Sequence, residues 1–184
     1  MIVLAISFYH GVMNHFHHKD ITSTVVTPSN QATLYVATKD KFQINFPGIP
    51  TITNNPPKVQ ADGTTQSSTG YELKDEAKTT DYLIVIVHYS NLKAESLADT
   101  DVQTALQGEM NNFSQGFNST ILNSRYTTLA GKKAIEATLM SNDKKTVNSN
   151  FEIFMSGDAV YIVFSFGIDQ NTFDNYANSF KFVQ

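Results

Sequence analysis

Phe151-Glu152-Ile153-Phe154-Met155-Ser156-Gly157-Asp158-Ala159-Val160-Tyr161-Ile162-Val163-Phe164-Ser165-Phe166-Gly167-Ile168 reads as two apolar strands joined by a tight turn at Ser156-Gly157-Asp158. Val160, Ile162, Phe164 and Phe166 recur at period two and so share one face, while Tyr161, Val163 and Ser165 on the other are only partly polar. A strand apolar on both sides belongs in the middle of a sheet, with another layer covering at least one side. The stretch therefore fixes an antiparallel hairpin at the centre of a sheet. It says nothing of chemistry.

Working outward, the Phe151 hairpin is preceded by a second one. Arg125 to Leu129 and Lys133 to Leu139 flank Ala130-Gly131-Lys132, and Ile135, Ala137 and Leu139 alternate with Glu136 and Thr138. Further upstream, Tyr82 to Tyr89 is β-branched and aromatic enough to form another central strand. Thr33 to Ala37 and Phe42 to Phe46 make a hairpin over Thr38-Lys39-Asp40-Lys41, and Pro47-Gly48-Ile49-Pro50 ends it because proline has no amide to donate. Thr51 to Thr69, with Asn54-Asn55-Pro56-Pro57 and Asp62-Gly63, reads as an exposed stretch with at most an edge pairing near Lys58 to Ala61. Tyr71 and Leu73 then restart an alternation.

One long helix is expected over Asp101 to Phe117, with Thr100 and Gln103 at capping-box spacing and Asp99 and Asp101 at the positive end of the dipole. Val102, Leu106, Met110, Phe113 and Phe117 line one face, a core stripe to be buried on a sheet. A short helix follows at Gln170 to Asn178, where Phe173, Tyr176 and Ala177 share a face, and Phe180-Lys181-Phe182 closes the chain as an extended segment. The fold class is thus α+β, an antiparallel sheet covered by helices.

Composition narrows the functions. The 184 residues are 41% hydrophobic and 16% charged, enough for one sizeable core. A formal charge of -4 and a single arginine, Arg125, provide no field for a phosphate backbone, so nucleic-acid binding is not expected. With no cysteine, neither a disulfide framework nor a thiolate metal site can form.

The N-terminus reads differently from the rest. Ile2 to Val12 is an apolar run with no basic residue before it, shorter than the roughly 20 residues of a membrane-spanning helix. It is expected to be an anchor or signal remnant whose first half would lie upstream of Met1. His10, His15, His17, His18 and Asp20 follow as a histidine-rich flank, so residues 1–20 form the anchor segment; with no cysteine and no second cluster, the histidines are taken as a polar spacer and not a metal site. Residues 21–31, rich in Thr, Ser, Pro and Asn, read as a linker, and the folded domain is expected over 32–184.

The segment Lys41-Phe42-Gln43-Ile44-Asn45-Phe46-Pro47-Gly48-Ile49-Pro50 resembles the "KFxIxFPGxP" opening of bacterial members of the PsbP-like fold family. The order that follows is also similar: the Tyr82 to Tyr89 strand, one long helix, Leu129-Ala130-Gly131-Lys132-Lys133-Ala134 between strands, the Phe151 hairpin, then a short helix and Phe180-Lys181-Phe182. That family includes the extrinsic subunit P of photosystem II, a small Ran-binding nuclear protein and many exported bacterial proteins. The resemblance, spanning about Ala32 to Val183, implies an antiparallel sheet sandwiched by helices and a non-catalytic accessory or binding role. It carries no ligand residue across, so no catalytic, cofactor or metal residue is assigned.

The function expected is a non-catalytic, exported and membrane-tethered accessory domain for a protein or cell-envelope component. It would be extracytoplasmic, monomeric and in contact with the membrane only through its N-terminus. A Gly-x-Ser-x-Gly elbow, a phosphate-binding Gly-x-x-x-x-Gly-Lys-Ser/Thr loop and a His-Glu-x-x-His helix are all absent. Two alternatives stand beside it. A hydrolase would use His88 with a carboxylate such as Asp81 or Glu136 and a hydroxyl such as Tyr89 or Ser90. A carrier of a small apolar ligand would enclose it between the sheet and the Phe113 and Phe117 face of the helix. Asn112-Phe113-Ser114 and Asn118-Ser119-Thr120 are formal glycosylation sequons, the first beside an expected core residue.

Overall fold

The computed structural model describes residues 32–76, 78–142 and 148–183. The anchor run, its histidines and the 21–31 linker lie outside the described residues. The elements are β1 (Thr33–Ala37), β2 (Phe42–Phe46), β3 (Thr51–Val59), β4 (Thr65–Asp75), β5 (Thr80–Tyr89), α1 (Asp99–Gly116), β6 (Ser119–Leu129), β7 (Lys132–Ser141), β8 (Asn148–Ser156), β9 (Ala159–Phe166), α2 (Gln170–Asn178) and β10 (Lys181–Phe182). A 7-stranded antiparallel sheet runs β3-β4-β5-β9-β8-β7-β6, and a 3-stranded sheet runs β1-β2-β10.

The Phe151 hairpin sits at the centre, as its two-sided apolar pattern requires. β9 pairs with β5 on one side and β8 on the other, with Ile162 opposite both Val85 and Ile153. Val160, Ile162 and Phe164 face α1, whose Leu106, Met110 and Phe113 are buried against them. Tyr161 and Val163 face the opposite way, onto a layer made of the small sheet and α2, through Phe42, Phe46, Phe173 and Phe180. One face of the large sheet is thus covered by a helix, and the other by a small sheet and a helix together.

Local chemistry explains where the elements stop. α1 ends as Asn118 enters the left-handed region at φ 48°, a conformation asparagine tolerates better than most residues, with its amide bonded to the Gln115 carbonyl at 3.0 Å. Ala130 and Gly131, at φ 49° and 76°, form the β6–β7 turn whose twist matches the flanking strands. Asp169 caps α2 by accepting from the Thr172 amide at 2.9 Å and its hydroxyl at 2.8 Å.

Two expectations need correction. The capping box at Thr100 and Gln103 does not form: α1 begins two residues earlier, behind Ala98, which makes no side-chain cap, and the acidic first turn of Asp99 and Asp101 faces the dipole instead. The exposed stretch Thr51 to Thr69 is ordered as the whole of β3, the turn after it and the start of β4. Two polar pairs bond across its ladder, Asn55 donating to Ser68 at 2.9 Å and Thr69 to Asn54 at 3.2 Å. Pro56-Pro57 fits because β3 is an edge strand and the register shifts between Asn55 and Lys58.

Candidate functional site

The bulge of β3 has a geometric consequence. Where Pro56-Pro57 departs from the ladder, an open groove of about 390 Å³ lies between the β1–β2 turn and the surface of β4 and β5. Lys39 and Asp40 wall one side, Asn54 and the two prolines the other, with Ser67 and His88 among the lining residues. Ser67 and His88 are direct cross-strand partners, so their side chains emerge from the same face. Asp40 is held by a hydrogen bond from the Tyr71 hydroxyl, which raises the tyrosine well above its ordinary value, through burial first and that bond second. His88 is oriented from behind by Asp158 in the β8–β9 turn, Nδ1 to Oδ1 at 3.1 Å. Both are well exposed, 36% and 65%, so the pair fixes a ring orientation more than it adds stability.

The expected partners of His88 do not converge on it. Asp81 lies at the far end of the same strand, roughly 23 Å away at about 3.3 Å per residue, opposite Lys74 and Phe166. Glu136 is on β7, three strands across, where it accepts from Arg125 at 2.7 Å and Gln170 at 2.8 Å. Tyr89 is buried in the α1 core, and the Ser90 hydroxyl accepts from the Thr65 amide at 3.0 Å. The carboxylate that meets His88 is Asp158, read from sequence as a turn residue. Pairing β5 against β9 brings that turn beside the strand's end, the signal an antiparallel register would have supplied.

Two buried carboxyls have strongly altered protonation, both away from the groove. Asp81 is raised by burial first and by the Glu72 carboxylate second. Glu152, beside Glu136 and Asp174 under α2, is pushed up to about 7 by burial and then by those two charges, with Arg125 opposing. Glu95 behaves oppositely: bonds from the Gly157 amide and from Lys132 hold it down at about 2.

The space the apolar-carrier alternative needs is filled. Phe113 meets Phe151 and Phe164 with ring centres 4.9 and 5.5 Å apart, and all three are buried. Among the described residues no group of three or more His, Asp or Glu side chains could hold a metal ion, and no helix is long and apolar enough to cross a membrane.

Structural comparison gives the chain a PsbP-like fold, as its sequence order implied. By sequence, no family model and no curated protein matches it. By structure it is similar to the solution structure of the cyanobacterial PsbP protein, CyanoP, of Synechocystis sp. PCC 6803, with a TM-score of 0.51 and 16% identity over 89% of this chain and 99% of that one. At that identity the likeness is one of fold.

Proposed function

We propose that the chain is a non-catalytic binding domain, exported and tethered to the membrane by its N-terminal segment, serving as an accessory to a protein or cell-envelope component. One observation carries this reading: the groove and the perturbed acids are in different places. A catalytic cleft gathers groups whose protonation burial has tuned, whereas here Asp81 and Glu152 lie under other parts of the fold, and the groove offers amides, hydroxyls, the solvent-facing pair Lys39 and Asp40 and one solvated imidazole. Such a lining binds without making or breaking bonds. The PsbP-like fold supports an accessory role and an extracytoplasmic location.

A hydrolase centred on His88 is the second reading, favoured by the Asp158 contact and by Ser67 directly across the ladder. Ester, peptide, phosphate and glycoside substrates incubated with the wild-type chain and with His88→Ala separate the two. Equal background rates support the binding domain, and turnover lost with His88 overturns it. Protease added to intact spheroplasts expressing the chain tests location: digestion is expected, and full protection would remove the export claim.

A further inference from the structure

We propose that the groove takes a neutral, polyhydroxylated ligand, a short glycan, whose hydroxyl groups are bound by Asp40, Asn54, Ser67 and His88. The proposal rests on the binding-domain reading and gives that domain a ligand class.

Charge argues first. Lys39 and Asp40 stand together on one wall, and the imidazole is already paired with Asp158, so the lining has no excess of one sign with which to select an ion. Apolar surface argues next: Pro56 and Pro57 are the nonpolar residues of the lining, too little to draw a lipid or aromatic molecule from water. Addition of a peptide strand is also disfavoured here. β4 and β5 are paired on both sides, and where β3 borders the groove its two prolines have no amide to donate. Recognition therefore falls to side chains.

Those side chains suit hydroxyl groups, each of which donates one hydrogen bond and accepts others. Asp40 can only accept, and the Tyr71 hydroxyl holds it in place. The Asn54 carbonyl is engaged by Thr69 at 3.2 Å, which leaves its Nδ2 as a donor. The Asp158 carboxylate accepts from His88 Nδ1, which leaves Nε2 as the ring nitrogen that can meet a ligand hydroxyl. Ser67 does either. The groove thus carries both donors and acceptors within the roughly 300–1,000 Å³ usual for small ligands, and Asp40, Asn54 and His88 are held by neighbouring bonds, so that little ordering of them is required on binding. The rings of Pro56 and Pro57 offer flat surfaces to the C–H faces of a sugar.

The test is a titration of the isotope-labelled full chain with maltotriose, cellotriose and N-acetylchitotriose, followed by amide NMR shifts, with the recovered sugar weighed by mass spectrometry. Saturable shifts at Asn54, Ser67 and His88 are expected with at least one of the three sugars. Asn54→Ala and His88→Ala should weaken that binding at least 5-fold without lowering the melting temperature, while Leu122→Ala on the distant β6 edge leaves it unchanged. No saturable shift with any sugar, or shifts at these residues with a neutral pentapeptide or a trigalacturonate alone, overturns the proposal and leaves the non-catalytic reading intact. A sugar bound at these residues but recovered cleaved, with cleavage lost in His88→Ala, keeps the ligand class and overturns the non-catalytic reading instead.

Discussion

Replacing Phe113 with alanine tests the packing on which the fold depends. Its side chain is fully buried, and its ring centre lies 4.6 Å from Phe117, 4.9 Å from Phe151 and 5.5 Å from Phe164. Truncating a buried phenylalanine costs about 3–5 kcal/mol, of which lost ring pairing is part, against a total stability of about 5–15 kcal/mol for a domain. The variant should therefore fold at 25 °C with much of its margin gone. At about 2–4 °C per kcal/mol for a chain of this size, a loss of about 4 kcal/mol lowers the melting temperature by roughly 8–16 °C. Because the chain has no tryptophan, far-ultraviolet circular dichroism during heating and in urea is the appropriate readout. Ile49→Ala, at a side chain 78% exposed, should stay within about 0.5 kcal/mol of wild type. Phe113→Asp, which buries a charge at the same place, should not fold. A melting temperature for Phe113→Ala within about 3 °C of wild type would refute the assignment of α1 as the core layer over β8 and β9.

Gly167→Ala and Gly131→Ala differ in space and not in backbone: at φ 74° and 76° both are left-handed, but a Cβ on Gly167 would sit 2.3 Å from the Thr79 carbonyl oxygen while Gly131 faces open space. Urea unfolding should show a loss of about 1–2 kcal/mol for Gly131→Ala and a clearly larger one for Gly167→Ala; equal losses would refute the clash. Glu152 has a folded-state pKa of about 7, above its unfolded value, so the native state binds the extra proton and stability should fall as pH rises from about 4.5 through 7, by on the order of 3 kcal/mol at most. Glu152→Gln should flatten that slope in melts across pH 5 to 8, and an unchanged slope would exclude Glu152 as its source. Glu95 has the opposite sign: with a folded-state pKa near 2, its contribution is present above about 4.5 and lost as pH falls towards 2. Glu95→Gln should cost about 1 kcal/mol or less at pH 7, because the carboxylate is 56% exposed, and should shrink the acid loss; an identical acid melt would exclude Glu95 as its source.

Residue pattern alone identifies the elements whose signal is locally redundant. The two-sided apolar run of β9 could only be central, the Leu106, Met110 and Phe113 stripe could only be a buried helix face, and Phe173, Tyr176 and Ala177 could only share the buried face of a short helix. In each, the side chains report their surroundings through period and chemistry alone. The Thr51 to Thr69 stretch failed to do so, because it is held by the strand ladder and by polar pairs such as Asn55 with Ser68 and Thr69 with Asn54, and not by burial of an apolar face. The groove was hidden for the same reason. Asp40, Asn54, Ser67, His88 and Asp158 are separated along the chain by as many as 118 positions, and nothing in their spacing brings them together. What gathers them is the antiparallel register of β4, β5 and β9 and the proline bulge of β3, long-range choices that the energy of the whole sheet makes.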